Sequence, residues 1–197
     1  MPVYLEHAGR RNIQCQGCHG KRPAVTRCLD CFGCLSWCHE CIIQRHTTLL
    51  CHRLEKWNGQ CFSRTTLMAK GFLLHLGHGG LPCLNPWEGH SAMDAAQNTH
   101  QKPLFSQTVT LVAINGFFEH KVSWCGCFVE GQVTPSAMQL FNERLFPATQ
   151  SRPETTFAFN LLDYFWVDMM ECNTANQSFI RKLGRITNPD FPADSPV

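Results

Sequence analysis

Residues 15–52 read CQGCHGKRPAVTRCLDCFGCLSWCHECIIQRHTTLLCH. Three Cys-x2-Cys pairs occur in this stretch and two histidines follow them. In chain order, these candidate metal ligands are Cys15, Cys18, Cys28, Cys31, Cys38, Cys41, His46 and His52. A Cys-x2-Cys turn can direct both sulfurs at one tetrahedral Zn²⁺, and thiolates with imidazoles favour zinc over oxygen-seeking ions. Eight such ligands fill two closed sites without a place for a catalytic water, so we expect two structural zincs.

The eight ligands could be divided between two ions either in sequence or in an interleaved way. The order of three cysteine pairs followed by two histidines resembles the cross-braced B-box zinc module. This resemblance implies that Cys15, Cys18, Cys38 and Cys41 hold one zinc, while Cys28, Cys31, His46 and His52 hold the other. Four further residues lie close enough in sequence to compete as ligands: Cys34, Cys51, His19 and His39.

A disulfide framework is the alternative explanation for 13 cysteines. The N-terminal residues MPVYLEHAGRRNIQ contain neither an apolar signal core nor a cleavage pattern. The cysteine count is odd, and repeated Cys-x2-Cys pairs with trailing histidines are typical of zinc sites. We therefore expect an intracellular, reduced protein. Cys61 and Cys172 have no partner in sequence and are predicted to be small buried hydrophobic residues.

Charge is distributed unevenly along the 197 residues. Residues 1–64 contain nine Lys or Arg against four acids, although the whole chain has a net charge of only +2. Such a basic region can approach phosphates, but it is also typical of a solvated surface. The candidate nucleic-acid contacts are Arg10, Arg11, Lys21, Arg22 and Arg27. No apolar run is long enough to span a bilayer, so we expect a soluble protein without a membrane partner.

A second Cys/His pattern lies further along the chain. His78 and Cys83 fall in the Gly- and Pro-rich segment LGHGGLPC, and Cys125-Gly-Cys127 follows an apolar strand. Together they could form a third zinc site of the Cys3His type. Spacing alone leaves open the alternative of a core cysteine and a surface histidine.

The pattern after the zinc stretch is that of an α+β protein. Residues 72–76 are predicted to form a strand, and residues 104–128 form a β-hairpin around Asn115-Gly116, with Val109, Leu111 and Ala113 facing the core. A helix is predicted to open at Thr134-Pro135-Ser136, with Pro135 in its first turn, and a buried aromatic helix is predicted over residues 157–170. Another helix, over residues 176–183, is closed by Gly184.

The predicted organisation has four parts: a lead-in at residues 1–14, a B-box-like zinc module at 15–56, an α+β part at 57–188 and a flexible tail at 189–197. The fold class is α+β, with a loop-rich two-zinc cross-brace module followed by a small antiparallel sheet and C-terminal helices.

Several phrases resemble the cysteine-cluster domain, second variety, associated with KDZ (Kyakuja-Dileera-Zisupton) transposases and abundant in fungi. They are RCLDC, WCHEC, LGHGGLPC, INGFFEHKVSWCGC, LFPAT and RPETTFAFNLLDYF, in this order between Cys15 and Asn188. The resemblance implies a zinc-chelating module of a mobile-element protein, and it favours the third zinc on His78, Cys83, Cys125 and Cys127. It places the nuclease core of the transposase beyond residue 197, so we expect a transposon remnant or fragment.

Three functions can be weighed from these features. The first is a nuclear, non-catalytic zinc module that assists DNA engagement. The second is a zinc-stabilised module for protein partners or self-association. The third, an enzyme, has the least support, because the sequence offers no open metal site, no activated nucleophile with its base and no Gly-rich phosphate loop. No small-molecule substrate is indicated.

Overall fold

A computed structural model describes residues 14–33, 35–84, 86–87, 106–129 and 132–189. The chain divides into two compact units, Met1–Lys70 and Gly71–Val197. The predicted boundary after residue 56 falls within the first unit. Among the described residues, no helix is both long and apolar enough to cross a membrane.

In its described residues, the first unit contains a small antiparallel sheet, a short α-helix and a 3₁₀ turn at Met68–Lys70. Its strands are β1 (Thr26–Cys28), β2 (Ser36–Trp37), β3 (Leu54–Trp57) and β4 (Phe62–Thr65), in the order β2-β1-β3-β4. Helix α1 covers His39–Arg45. The turn between β3 and β4 is held by Asn58, whose Oδ1 accepts hydrogen bonds from the N–H groups of Gln60 and Cys61.

The core of the first unit is built largely from its own candidate metal ligands. Cys15, Cys28, Cys38 and His46 are all at most 4 % exposed. Among the described residues of this unit, the other buried apolar ones are Ala24, Trp37, Ile42, Leu54 and Leu67. Because these residues bury little apolar surface, we expect this unit to need an ion bound by its cysteines and histidines in order to fold.

The second unit is organised around a mixed sheet. Its strands are β5 (Leu73–His75), β6 (Pro86–Trp87), β7 (Ser106–Ala113), β8 (Gly116–Cys125), β11 (Leu145–Pro147) and β12 (Thr155–Ala158). The order is β11-β12-β7-β8-β5, with β6 also paired to β8, and β9 (Phe128–Val129) and β10 (Gln132–Val133) form a separate ribbon. The helices are α2 (Ser136–Asn142), α3 (Phe159–Cys172) and α4 (Asn176–Thr187). The predicted α+β class is confirmed.

Two of the strand pairings are parallel, whereas a purely antiparallel sheet was expected. β5 pairs with β8 and β12 pairs with β7 in this way. Parallel strands are joined by long crossover connections and not by tight turns, so no local turn pattern in the sequence predicts their pairing. In the mixed sheet, the pairs β7–β8, β6–β8 and β11–β12 are antiparallel.

The predicted β-hairpin is present, with its turn shifted by one residue. Ala113 pairs with Gly116, so Ile114 and Asn115 form the turn. Of the predicted Asn-Gly pair only Gly116 has a positive φ, of +129°. An added Cβ at Gly116 would lie 2.5 Å from Thr187 Oγ1, so this position needs glycine for its conformation and for its close contact with α4.

Strand β7 has buried residues on both of its faces, although only one face was predicted to point to the core. Val109 and Leu111 line a small apolar cavity on one side, together with His120. Val112 lies on the other side in a cluster with Phe117, Leu161, Phe179 and Leu183. Helices α3 and α4 supply three of these residues, so they cover the second face of the sheet.

The C-terminal helices differ from the predictions in three ways. The aromatic helix α3 begins at Phe159, because Thr155–Ala158 are in β12, and within it only Leu161 is buried. The prediction of a buried helix was wrong, since α3 packs through one face only. Gly184 is buried inside α4 and does not end it. Pro135 occupies the N-cap of α2 and precedes the first helical residue.

Candidate metal centres

The structure brings the predicted metal ligands together in three groups. The first cluster is Cys15, Cys18, Cys38 and Cys41; the second is Cys28, Cys31, His46 and His52; the third is His78, Cys83, Cys125 and Cys127. Within each cluster the four ligand atoms all lie within 4.8 Å of one another. The first two clusters are interleaved along the chain, as the B-box resemblance implied.

The first cluster joins a tight turn to the start of helix α1. The turn is closed by hydrogen bonds from Gly20 N to Cys15 O, 2.9 Å, and from Cys15 N to Arg22 O, 3.1 Å. Cys38 is the N-cap of α1, and its backbone N–H donates to Cys15 Sγ at 3.1 Å. Helical geometry then places Cys41, three residues later, on the same side as Cys38.

Gly17 lets the turn and the helix approach closely enough to form the first cluster. A Cβ at this position would lie 2.8 Å from Cys41 Cβ and 2.9 Å from Cys41 Sγ. Side-chain atoms do not tolerate such distances, so any larger residue would push Cys41 away from the other sulfurs. The backbone at Gly17 has no positive φ, so the requirement for glycine there is one of space.

The second cluster combines the knuckle Cys28–Cys31 with two histidines after α1. His52 Nδ1 lies 3.4 Å from the sulfurs of both Cys28 and Cys31, and His46 Nε2 lies 3.5 Å from Cys31 Sγ. The other ring nitrogen of His46, Nδ1, donates to the carbonyl of Ile42 at 2.9 Å. Because a carbonyl only accepts, the lone pair of His46 is at Nε2, on the side of the sulfurs.

An ion pair that sequence reasoning missed supports the second cluster. Asp30 lies within the Cys28–Cys31 knuckle and accepts hydrogen bonds from the backbone N–H of Arg53, 2.5 Å, and from its Nη2, 2.6 Å. Burial acts to raise the pKa of Asp30, but the hydrogen bonds from Arg53 outweigh this effect and lower it. The pair therefore ties the knuckle to the residue that follows His52.

The third cluster joins two segments that are far apart in sequence. Cys83 Sγ lies 3.6 Å from the sulfurs of both Cys125 and Cys127, and His78 Nε2 lies 3.2 Å from Cys125 Sγ and 3.4 Å from Cys127 Sγ. Parallel pairing of β5 with β8 brings residues 73–75 beside residues 121–123. This register places the segment that follows β5 near the end of β8, where Cys125 lies. The third cluster is more exposed than the other two.

Gln139 of α2 holds the backbone of the third cluster. Its side chain is only 3 % exposed. Its Oε1 accepts from Cys125 N, and its Nε2 donates to the carbonyls of Cys125 and Thr134, each at 2.8 Å. All donors and acceptors of this buried amide pair locally, so it fixes the position of the Cys125-Gly-Cys127 turn. Nothing in the sequence marked Gln139 for this role.

The donor sets and their spacing fit zinc. Tetrahedral coordination with Zn–S of about 2.3 Å and Zn–N of about 2.0–2.1 Å requires S···S distances near 3.8 Å and S···N distances near 3.6 Å. The observed S···S distances of 3.6 Å and S···N distances of 3.2–3.5 Å are close to these values. Each cluster can therefore hold one tetrahedral ion. The type of ligand, more than the geometry, selects the metal, and sulfur-rich sites of this kind favour zinc.

Packing the thiols together shifts their proton affinities. Burial raises the pKa of Cys28 to about 12, and the neighbouring thiol of Cys38 raises that of Cys41 to about 12. In the third cluster, the Cys83 side chain raises the pKa of Cys127 to about 11. At Cys15 burial acts in the same direction, but N–H groups led by that of Cys38 outweigh it and lower the pKa to about 6.

Several cysteines and histidines lie outside the three clusters. His19, His39 and Cys51, which could have competed as ligands, belong to none of them, and Cys34 falls outside the described residues. Burial raises the pKa of the Cys51 thiol to about 12, so it stays protonated near neutral pH. Cys61 and Cys172 are exposed, so the prediction that they are buried was wrong. Cys61 lies in the turn between β3 and β4, and Cys172 is the last residue of α3.

Of the predicted nucleic-acid contacts, three lie in the described part of the chain. Arg22 forms an ion pair with Glu40, and Arg27 Nε lies 2.8 Å from Glu55 Oε2, so acids partly neutralise both. Lys21 is exposed. Arg10 and Arg11 lie outside the described residues.

A family model for the CxC2-like cysteine cluster associated with KDZ transposases matches residues 67–190. This range covers more than half of the chain and contains the whole third cluster, while the first two clusters precede it. Comparison with curated proteins and with solved structures found no match. On the extent of the family match and the cysteine pattern within it, the chain belongs to the CxC2-like cysteine cluster family associated with KDZ transposases.

Proposed function

We propose that the chain is a non-catalytic zinc module of a KDZ-type transposon protein, acts in the nucleus and helps that protein engage DNA through the first unit. The observation that carries the proposal is the assembly of twelve cysteines and histidines into three four-ligand clusters of tetrahedral size. Each set supplies four protein ligands, which is the composition of closed, structural zinc sites. The association of the family with transposases supports a partner role in DNA transactions.

The charge of the first unit supports DNA as its partner. Residues 1–70 contain ten Lys or Arg and four acids, whereas residues 71–197 contain seven and eleven. A zinc bound by four thiolates adds a charge of about −2, and one bound by two thiolates and two neutral histidines adds none. The metallated first unit thus remains positive and attracts phosphates.

Ion pairs leave part of this positive charge available. Asp30, Glu40 and Glu55 each pair with an arginine. Within the described part of the chain, no ion pair engages four further cations of this unit: Lys21, Arg45, Lys56 and Arg64. These side chains are exposed, so phosphates can reach them.

Zinc content tests the metal part of the proposal. Native mass spectrometry of the purified chain is expected to give three zincs, and Cys125→Ser should reduce the count to two. Cys172→Ser is the matched control, because this exposed cysteine belongs to no cluster, and it should keep three. A count of zero in wild type, or cystines in place of free thiols, would refute the zinc assignment.

DNA binding tests the functional part. The metallated protein should retard duplex DNA with an affinity that falls steeply with salt, and Lys56→Ala with Arg64→Ala should weaken it. Arg22→Ala with Arg27→Ala should weaken it less per charge, because each of these arginines is already paired with an acid. Binding that is unchanged by salt and by both double variants would reject this DNA role.

A protein-interaction role is the second candidate, and the surface of α3 favours it. Trp166, Val167 and Met170 are 56–61 % exposed and recur at helical spacing, so they form an apolar stripe. Size-exclusion chromatography with light scattering should then show a self-associated wild type and a monomeric Trp166→Ser variant. A wild type that is monomeric and binds DNA would reject the self-association role and support the DNA role.

A further inference from the structure

The outer face of the small sheet in the first unit carries two aromatic side chains between arginines. Trp57 on β3 is the cross-strand partner of Phe62 on β4, with ring centroids 5.1 Å apart. The guanidinium of Arg27 lies over the ring of Phe62, 4.1 Å from its centroid. Arg64 lies directly across from Glu55 and is exposed.

Strand alternation places these residues on one side of the sheet. Residues that face each other in an antiparallel register point to the same face, and successive residues point to opposite faces. Arg27 pairs with Glu55, and Glu55 with Arg64. Their neighbours Thr26 and Leu54, on the opposite face, are at most 2 % exposed and belong to the core. The face with Trp57 and Phe62 is therefore the outer one, and both rings are only half-buried.

We propose that this outer face binds single-stranded DNA by stacking unpaired bases on Trp57 and on the Phe62–Arg27 pair, while Arg64 neutralises a phosphate. Exposed aromatic rings and guanidinium planes on a strand surface present flat π-faces to bases, which a duplex keeps stacked inside itself. The inference rests on the proposed function, which gives DNA as the partner and a positive first unit as its attractor.

The charges on this face agree with such a ligand. Glu55 neutralises one arginine at 2.8 Å, and no ion pair among the described residues engages Arg64. The face therefore keeps a net positive charge beside its aromatic rings. A protein partner for the same face would need acidic side chains. If the face served such a partner, the chain would bind single-stranded and duplex DNA with similar affinity.

This binding is measured with the full, zinc-loaded chain. The probe is a labelled single-stranded thymine oligonucleotide of about 12 nucleotides, and the readout is its fluorescence anisotropy. Wild type should bind it more tightly than the matching duplex. Trp57→Leu should weaken single-strand binding by about tenfold, as expected for the loss of one base–aromatic stack. Trp57→Phe should restore most of the affinity. Phe146→Leu, which changes an exposed aromatic residue of the second unit, is the control and should bind like wild type.

A purely structural aromatic pair predicts different results. Trp57→Leu would then lower the unfolding midpoint without changing the preference for single strands. If Trp57→Leu fails to fold, Arg64→Ala is the second variant, since it alters only an exposed side chain and should lower the slope of affinity against salt by about one. Quenching of tryptophan fluorescence by the oligonucleotide in wild type, lost in Trp57→Phe, is the independent readout.

The outcomes separate this inference from the proposed function. Equal affinity for single strands and duplexes, or no effect of Trp57→Leu in a folded protein, overturns the stacking site. If Lys56→Ala with Arg64→Ala still weakens duplex binding, the proposed DNA role survives that failure. Tighter binding of a single-stranded uridine RNA than of the thymine DNA oligonucleotide of equal length would overturn the assignment of DNA as the ligand.

Discussion

The side chain of Gln139 forms two hydrogen bonds of 2.8 Å with the backbone of Cys125, one as acceptor from the N–H and one as donor to the carbonyl. A residue of helix α2 thereby fixes a ligand of the third cluster at the end of strand β8. Partners that orient metal ligands influence affinity although they do not touch the ion.

Replacing this amide should loosen the third cluster. Gln139→Leu keeps a similar size but leaves the Cys125 backbone unpaired, so we expect the third zinc to bind about 10- to 100-fold more weakly. Competition with a fluorescent chelator measures this. Gln177→Leu, an exposed glutamine on α4, is the matched control. Equal loss of all three zincs would show general unfolding and contradict a local role.

The space at Gly17 predicts a specific defect in the first cluster. Gly17→Ala places a methyl group against Cys41, so Co²⁺ substituted at the first cluster should show a weakened thiolate charge-transfer band. Gly71→Ala is the control: its Cβ meets no atom within 4 Å, and only its φ of +75° is unfavourable. That variant should lose about 1 kcal/mol of stability and keep its metal spectrum.

The ion pair between Asp30 and Arg53 should matter more than an exposed one. The side chain of Asp30 is 16 % exposed and its carboxylate receives several hydrogen bonds, so Asp30→Ala should cost about 2 kcal/mol in urea unfolding of the zinc-loaded protein. Glu40→Ala removes the ion pair with Arg22, in which both side chains are more than half exposed, and should cost clearly less because solvent screens such a pair. Equal costs would show that the Asp30 pair contributes nothing beyond a surface contact.

Metal removal should affect the two units differently. The first unit buries its own ligands in place of a large apolar core, whereas the second buries β7, β8 and the apolar residues of α3 and α4. After exhaustive chelation, hydrogen exchange should show loss of protection in β1–β4 and its retention in β7 and β8. Retained protection in β1–β4 would contradict metal-dependent folding of this unit.

Zinc uptake should release protons. Because the pKa values of Cys28, Cys41 and Cys127 are raised to about 12, 12 and 11, these thiols are protonated at neutral pH without metal. Zinc binds the thiolates, so affinity should rise with pH. Calorimetric titrations at pH 7 in buffers of different ionisation enthalpy should give heats that differ accordingly. Identical heats in all buffers would mean that no proton leaves.

The family resemblance and the ligand chemistry could be predicted from the sequence because they rest on residue identity and short spacing. Cys28 and Cys31 lie in one turn, and Cys125 and Cys127 in another, so each pair is a local unit. The hairpin at Gly116 and the α+β class follow from equally local patterns. Ion pairs such as Arg22–Glu40 and the amide of Gln139 left no such local signal.

The sequence by itself determined which side chains could bind metal and where short turns would form. Only the tertiary structure decided that Cys83 meets Cys125, 42 residues away, that β12 joins β7 in parallel, and that α3 leaves Trp166 exposed. The physical reason is that the spacing of ligands and turn residues constrains the backbone over only a few residues. Long-range pairing and burial depend instead on how whole elements pack, and the free energy of that packing is spread over many contacts at once.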